Sequence, residues 1–118
     1  MTNTARTLEF FKNLGYEVGV VERFLGYAGK FGQRKDLFGI IDVVGIRKNE
    51  TIGIQSCGQA FAKHDKKILT SEYSIKWLES KDRKLFLVGW RKVKLKRGSK
   101  AIRWKPRIKE YTWDDFIG

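Results

Sequence analysis

Two apolar runs set five residues apart constrain this chain more than any other feature. The first is Asp36-Leu37-Phe38-Gly39-Ile40-Ile41-Asp42-Val43-Val44-Gly45-Ile46; the second is Ile52-Gly53-Ile54-Gln55-Ser56-Cys57. Arg47-Lys48-Asn49-Glu50 joins them as a polar turn. β-Branched runs at that separation predict strands over 38–46 and 51–57, paired as an antiparallel hairpin. The first strand would carry Asp42 in its middle, where strand propensity and apolar surroundings both disfavour a carboxylate. Asp42 is therefore expected to have a partner. Antiparallel pairing brings it near Gln55. A carboxylate and an amide carbonyl are hard oxygen ligands suited to Mg²⁺ or Mn²⁺, and the Ser56 main-chain carbonyl could supply a third. The sequence leaves a second arrangement open, in which Arg34 or Arg23 pairs with Asp42 and Gln55 is an ordinary buried amide.

Around this hairpin the pattern alternates helix and strand. Residues 4–13 predict a helix, with Thr4 as cap, Leu8 and Phe11 on one face and Gly15 as the stop. Residues 16–25 read as a strand, and Gly26 to Lys35 as a glycine-rich basic loop. Residues 59–69 predict a helix with Phe61, Ile68 and Leu69 inward and lysines outward. A second helix is expected near 71–80, capped by Ser71, with Tyr73 and Trp77 paired at i, i+4. Lys84 to Trp90 has the unbroken apolar character of a central strand. With 118 residues, the chain predicts one α/β domain: a mixed central sheet flanked by helices, with its core over about 4–90 and a basic β-hairpin extension over about 91–110.

That extension alternates with period two. Val93 and Leu95 alternate with Lys92, Lys94 and Lys96. After Arg97-Gly98-Ser99-Lys100, residues Ile102, Trp104 and Ile108 alternate with Arg103, Lys105, Arg107 and Lys109. The pattern predicts one apolar face and one basic face, with Pro106 marking an edge strand. Core packing is expected for Trp90 and Trp104, and stacking on an exposed base is the other role open to them.

Charge is regional. The chain carries +12 overall; residues 1–58 hold eight Lys/Arg against six Asp/Glu, and residues 59–118 hold seventeen against seven. Such a distribution favours a surface that meets a polyanion, with the bland alternative a solvated basic face. Arg34, Lys35, Lys66, Lys67, Lys92, Lys94, Arg103, Lys105 and Arg107 are the candidate contacts to a nucleic-acid backbone. Nothing resembles a base-reading helix, so backbone or shape recognition is expected. The single cysteine, Cys57, excludes an internal disulfide and a cysteine zinc cluster, and the single histidine, His64, argues against a histidine-rich metal site. A reducing, cytoplasmic setting follows as an expectation, with no membrane association: no apolar run is long enough to span a bilayer, and the N-terminal segment does not read as a signal peptide.

The order helix with Glu, strand, Asp, hairpin, then Gln-x-Cys resembles the PD-(D/E)XK nuclease superfamily over residues 5–90, especially archaeal-type Holliday junction resolvases and small phage-encoded relatives. The resemblance implies a restriction-endonuclease-like core and Asp42 as the first metal-binding carboxylate. Gln55 stands where Glu is commoner, and Glu9 on the first helix or Glu22 would complete the site around Mg²⁺ (or Mn²⁺). The family's lysine would fall at position 57, which is Cys57. A thiol lacks the charge that offsets a developing phosphorane. Lys63, Lys66 or Lys67 on the following helix would have to reach in.

Together these readings predict a metal-dependent DNA endonuclease. By family analogy it would act on duplex or branched DNA such as Holliday junctions, as a homodimer. The alternatives are a non-catalytic nucleic-acid-binding protein on the same fold, and a basic regulatory protein with an acidic protein partner.

Overall fold

A computed structural model describes residues 1–25, 33–98 and 100–116. The first helix, α1 (Asn3–Asn13), starts where the Thr2 hydroxyl accepts the Ala5 N–H at 3.0 Å, two residues before the expected cap. It stops at Gly15, whose φ of +96° suits a residue without Cβ. There the Tyr16 N–H reaches Phe11 O (3.1 Å) and the Gly15 N–H reaches Lys12 O (3.0 Å), which closes the last carbonyls in a Schellman arrangement. The Tyr16 ring packs edge-on to Phe11 with centroids 5.9 Å apart and so fixes the exit of the chain.

The expected strand over 16–25 is two strands. β1 (Glu17–Val20) joins the main sheet, while β2 (Arg23–Leu25) pairs with β3 (Gln33–Lys35) in a separate ribbon. The glycine-rich loop expected from Gly26 therefore ends at β3; residues 26–32 and the Arg34 side chain lie outside the described residues. The first hairpin strand also starts late. Phe38 (φ 55°) and Gly39 (φ 77°) are both left-handed, and two such residues turn the chain instead of extending it. Leu37 and Ile41 bond across this turn, and β4 (Val43–Arg47) begins only after Asp42. Ile40 and Ile41 are buried all the same. A run of apolar residues marks burial, and a buried turn satisfies it as well as a strand does.

β4 pairs antiparallel with β5 (Glu50–Cys57), as expected, through a tight turn with Lys48 at φ 50°. The helices α2 (Phe61–Thr70) and α3 (Glu72–Trp77) follow. Tyr73 does not pair with Trp77: its ring stacks on Phe38, at 5.4 Å between centroids, while the Trp77 indole N–H donates to Lys84 O. β6 (Arg83–Lys94) returns parallel to β5, and β7 (Ile102–Tyr111) runs antiparallel to β6. The strand order β1-β4-β5-β6-β7 gives a five-stranded mixed sheet with β7, and Pro106 in it, at one edge. A short 3₁₀ turn (Trp113–Asp115) ends the described chain.

The sheet separates two apolar clusters. On the α1 side, Phe11 and Tyr16 pack with Val43, Ile52, Ile54, Val88 and Trp90; on the α2/α3 side, Ile40, Ile41, Cys57, Phe61, Ile68, Leu85, Leu87 and Tyr111 form the second. Gly53 and Gly89 let the second layer approach closely. A Cβ at Gly53 would lie 2.6 Å from Ile41 Cδ1, and one at Gly89 2.6 Å from the Phe61 ring. α2 is also fixed by the buried Tyr111 hydroxyl, which donates to Asp65 Oδ1 at 2.6 Å beside Lys109 Nζ at 2.8 Å.

The C-terminal hairpin differs from expectation in its faces. Residues opposite one another in an antiparallel pair share a side of the sheet. Here Lys92 is opposite Trp104, Val93 opposite Arg103 and Lys94 opposite Ile102. The apolar residues of the two strands thus lie on opposite sides, and each side mixes apolar and basic groups. A four-residue turn over 97–100 would have aligned them. The connection is instead closed by the Leu95 N–H on Ala101 O. A slip of one residue reverses every side chain of a strand.

Candidate functional site

Asp42 sits one residue before β4, yet its backbone is held in the sheet on both sides. Its N–H donates to Ile54 O (2.9 Å), and its carbonyl accepts the Val21 N–H (3.0 Å). Continuing the Val43–Ile54 rung by one step sets Asp42 opposite Gln55 on the α2/α3 side of the sheet. The Asp42 side chain is 5% exposed and Gln55 2%. The Ser56 N–H donates to both Asp42 carboxylate oxygens at 3.2 Å, and Gln55 Nε2 donates to Oδ2 at 3.1 Å. Ser56 therefore meets Asp42 through its backbone N–H, while its hydroxyl points the other way, to Thr7.

A second carboxylate completes the cluster. Gln55 Nε2 also donates to Asp36 Oδ2 at 3.0 Å, so one amide nitrogen bridges two acids. Lys67 Nζ lies 3.8 Å from the same Asp36 oxygen. Asp36 was not among the expected site residues, because it reads as the polar flank of a strand. The Phe38-Gly39 turn folds it back over Asp42, and glycine within an apolar run was the available signal. Lys35, Asp36, Gly39 and Lys67 line a cavity of about 420 Å³ at the mouth of the cluster.

Burial pushes the Asp42 carboxyl up to about 7; the charges of Asp36 and Glu22 add to this, and the Ser56 N–H and Gln55 amide work against it. Glu22 thus lies within electrostatic reach of Asp42. Glu9 does not belong to the cluster. It projects from α1, on the opposite side of the sheet, where it lines a cavity with Arg6, Phe10, Trp90 and Trp104. Lys63 is exposed on α2, where its charge bears on His64. Lys66 is exposed as well. Of the three helix lysines, Lys67 is the one that reaches the acids.

Cys57 lies on the same side of β5 as Gln55, two residues on, buried beneath Phe61. Burial raises its thiol pKa, Asp42 adds to the rise and Lys67 opposes it. A neutral buried thiol is neither a cation nor a nucleophile. Burial lowers the His64 pKa, with Lys67 adding and Asp36 opposing; its Nδ1 is buried without a hydrogen-bond partner among the described residues.

Do these groups suit a divalent cation? Among the described residues no three His, Cys, Asp or Glu side chains converge closely enough to hold one between them. The side-chain donors at hand are two carboxylates and the amide, with the Ser56 main-chain carbonyl beside them. Gln55 Oε1 is buried with no partner among the described residues, while Nε2 occupies the point where the two acids meet. A half-turn of the amide exchanges these atoms and presents three oxygens in place of two oxygens around an N–H donor. That set fits Mg²⁺ or Mn²⁺, whose remaining positions are ordinarily filled by water.

The basic residues divide by face. Arg91, Arg103, Lys105, Arg107 and Lys109 share the side of the sheet that carries Asp42 and Gln55; Lys92 and Lys94 lie on the other. Trp90 is buried as expected, but Trp104 is 39% exposed. Two cations lie against it, with Arg6 Cζ 3.6 Å and Lys92 Nζ 5.2 Å from its ring. The side chain of Arg23, like that of Arg34, lies outside the described residues. No helix is long and apolar enough to cross a membrane.

The fold and site therefore define an α/β domain with a five-stranded mixed sheet and a buried acid–amide–acid cluster. Comparison with protein-family models, curated proteins and solved structures found no match to this chain.

Proposed function

We propose that the protein is a metal-dependent DNA endonuclease, with Asp42, Asp36 and Gln55 holding Mg²⁺ or Mn²⁺ and the basic hairpin binding the phosphate backbone. The observation that carries this reading is the bridged pair of acids. A buried carboxyl forced towards neutrality, beside a second acid and an unpartnered amide oxygen, is a group that needs either a proton or a cation. The order of elements also agrees with the PD-(D/E)XK resemblance: helix, strand, Asp, hairpin strand with Gln, helix, then a parallel strand. A divalent ion at this point would polarise a phosphoryl oxygen and lower the pKa of a bound water.

The chain's own residues would do the rest. Lys67, oriented by Asp36, supplies positive charge from α2 that Cys57 cannot supply from β5. The row of cations from Lys109 to Arg103 continues the same side of the sheet and would lead a phosphate backbone towards Asp42. Action on branched DNA by a homodimer belongs to the same proposal, and rests on the resemblance.

Cys57 and the lack of a third converging acid among the described residues favour a second reading, a nucleic-acid-binding protein without hydrolytic activity. One experiment separates the two. Plasmid, linear and four-way-junction DNA are incubated with Mg²⁺ or Mn²⁺. Nicking that Asp42→Ala reduces by about a hundredfold or more, with binding intact, supports the nuclease. Binding of all three DNAs with no cleavage at any metal concentration supports the second reading.

A further inference from the structure

Beyond Gly89, β6 leaves β5 behind. The last rung between them is Cys57–Gly89, whereas β6 and β7 stay paired from Trp90–Pro106 out to Lys94–Ile102. Those rungs form a two-stranded ribbon whose base is packed on α1 through Trp90 and Trp104 and whose outer rungs extend past the last residue of β5. Its tip carries Lys96, Arg97 and Lys100, all exposed.

The register described above gives this ribbon cations on both faces. Arg91, Arg103 and Lys105 point to one side; Lys92 and Lys94 point to the other. All five are exposed. From 91 to 109 there are ten Lys/Arg and no acid. A sheet that lies flat on a single phosphate backbone gains from cations on one face only. Cations on the second face would then point into water and add self-repulsion. A ribbon set edgewise between two phosphate backbones uses both faces. The major groove of B-form DNA, about 12 Å wide and 8.5 Å deep, admits a two-stranded ribbon. The A-form groove of duplex RNA is too narrow for one.

Resting on the DNA-binding part of the proposed function, we infer that the ribbon beyond Trp90, residues 91–105, enters the major groove of B-form duplex DNA, with the two faces of the ribbon contacting phosphates of opposite strands. The duplex arm is thus the part of the substrate that the ribbon grips, and the acid cluster lies at the base of the grip. Lys92 keeps its place over Trp104, so Arg6 and α1 brace the second face.

The test is fluorescence anisotropy with the full chain, in chelator so that cleavage plays no part, on a labelled 20-base-pair DNA duplex and the RNA duplex of the same sequence. The two variants are Arg91→Ala/Arg103→Ala and Lys92→Ala/Lys94→Ala, each checked for an unchanged melting temperature. Groove entry predicts that both weaken DNA binding about tenfold at moderate salt, and that each lowers the salt slope by roughly two. It also predicts RNA binding at least about tenfold weaker than DNA binding. If only one pair matters, or RNA binds as well as DNA, the ribbon does not sit in the groove. If the wild type binds neither duplex, the proposed function itself fails.

Discussion

Gln55 and Ser56 are neighbours on β5 that face opposite sides of the sheet, and the polar clusters they enter are opposites in kind. On the α1 side, Thr7 Oγ1 donates to Asn3 O (2.9 Å), accepts the Trp90 indole N–H (2.9 Å), and meets the Ser56 hydroxyl at 3.0 Å. Every polar atom of that cluster is uncharged and partnered. It needs nothing from solution and serves to dock a helix. On the α2 side, Gln55 bridges two acids, leaves its own oxygen unpartnered, and faces a carboxyl pushed to about 7. That cluster is incomplete as a piece of protein structure. Burial alone therefore does not mark a functional site; an unmet electrostatic demand does.

The contrast can be tested through pH. Folded Asp42 takes up its proton at about 7, against 3.8 for the free group. Between those values the folded chain binds more protons than the unfolded one, so in chelator Asp42 makes stability fall as pH rises from about 4 to about 7. Its contribution is level on either side of that window. The loss should reach a few kcal/mol at most. Asp42→Asn should remove this slope, and be more stable than the wild type at pH 8 but not at pH 4. Chemical denaturation across this range reads it directly, and parallel curves for the two proteins would show that Asp42 is not held near neutrality.

The closed cluster predicts the converse. Thr7→Val removes one oxygen that serves two donors and leaves the Trp90 N–H buried without an acceptor, at a cost of about 2 kcal/mol. That loss should not vary with pH or with Mg²⁺. A Mg²⁺-dependent effect would mean that the two sides of the sheet are coupled.

A smaller effect distinguishes the helix lysines. Lys67→Ala should lower the cleavage rate about tenfold with binding little changed, as expected for a charge acting on the transition state. Lys63→Ala should leave the rate where it was. Equal losses from both would assign the helix to backbone binding alone.

Much of this architecture was legible in the sequence, and the parts that were not have a common cause. α1, the β4–β5 hairpin and β6 follow from periodicity and turn residues, because those signals are local. The pairing of Asp42 with Gln55 was legible for the same reason, being set by a short turn. Asp36 was not, since it reaches the site only through the left-handed Phe38-Gly39 turn. Nor was the placing of Glu9: a carboxylate on an amphipathic helix does not say which side of a sheet that helix will cover. The mixed faces of the ribbon depend on register. Alternation within each strand fixes which of its own residues share a side, and leaves open how two strands align.

On the proposed function, Asp36, Asp42 and Gln55 hold a divalent cation. Calorimetric titration of Mn²⁺ into the wild type and into Asp42→Asn at pH 8 tests it most directly. One ion bound per wild-type chain, with none taken up by the variant, is the predicted result. No uptake by the wild type, or equal uptake by both proteins, would contradict it.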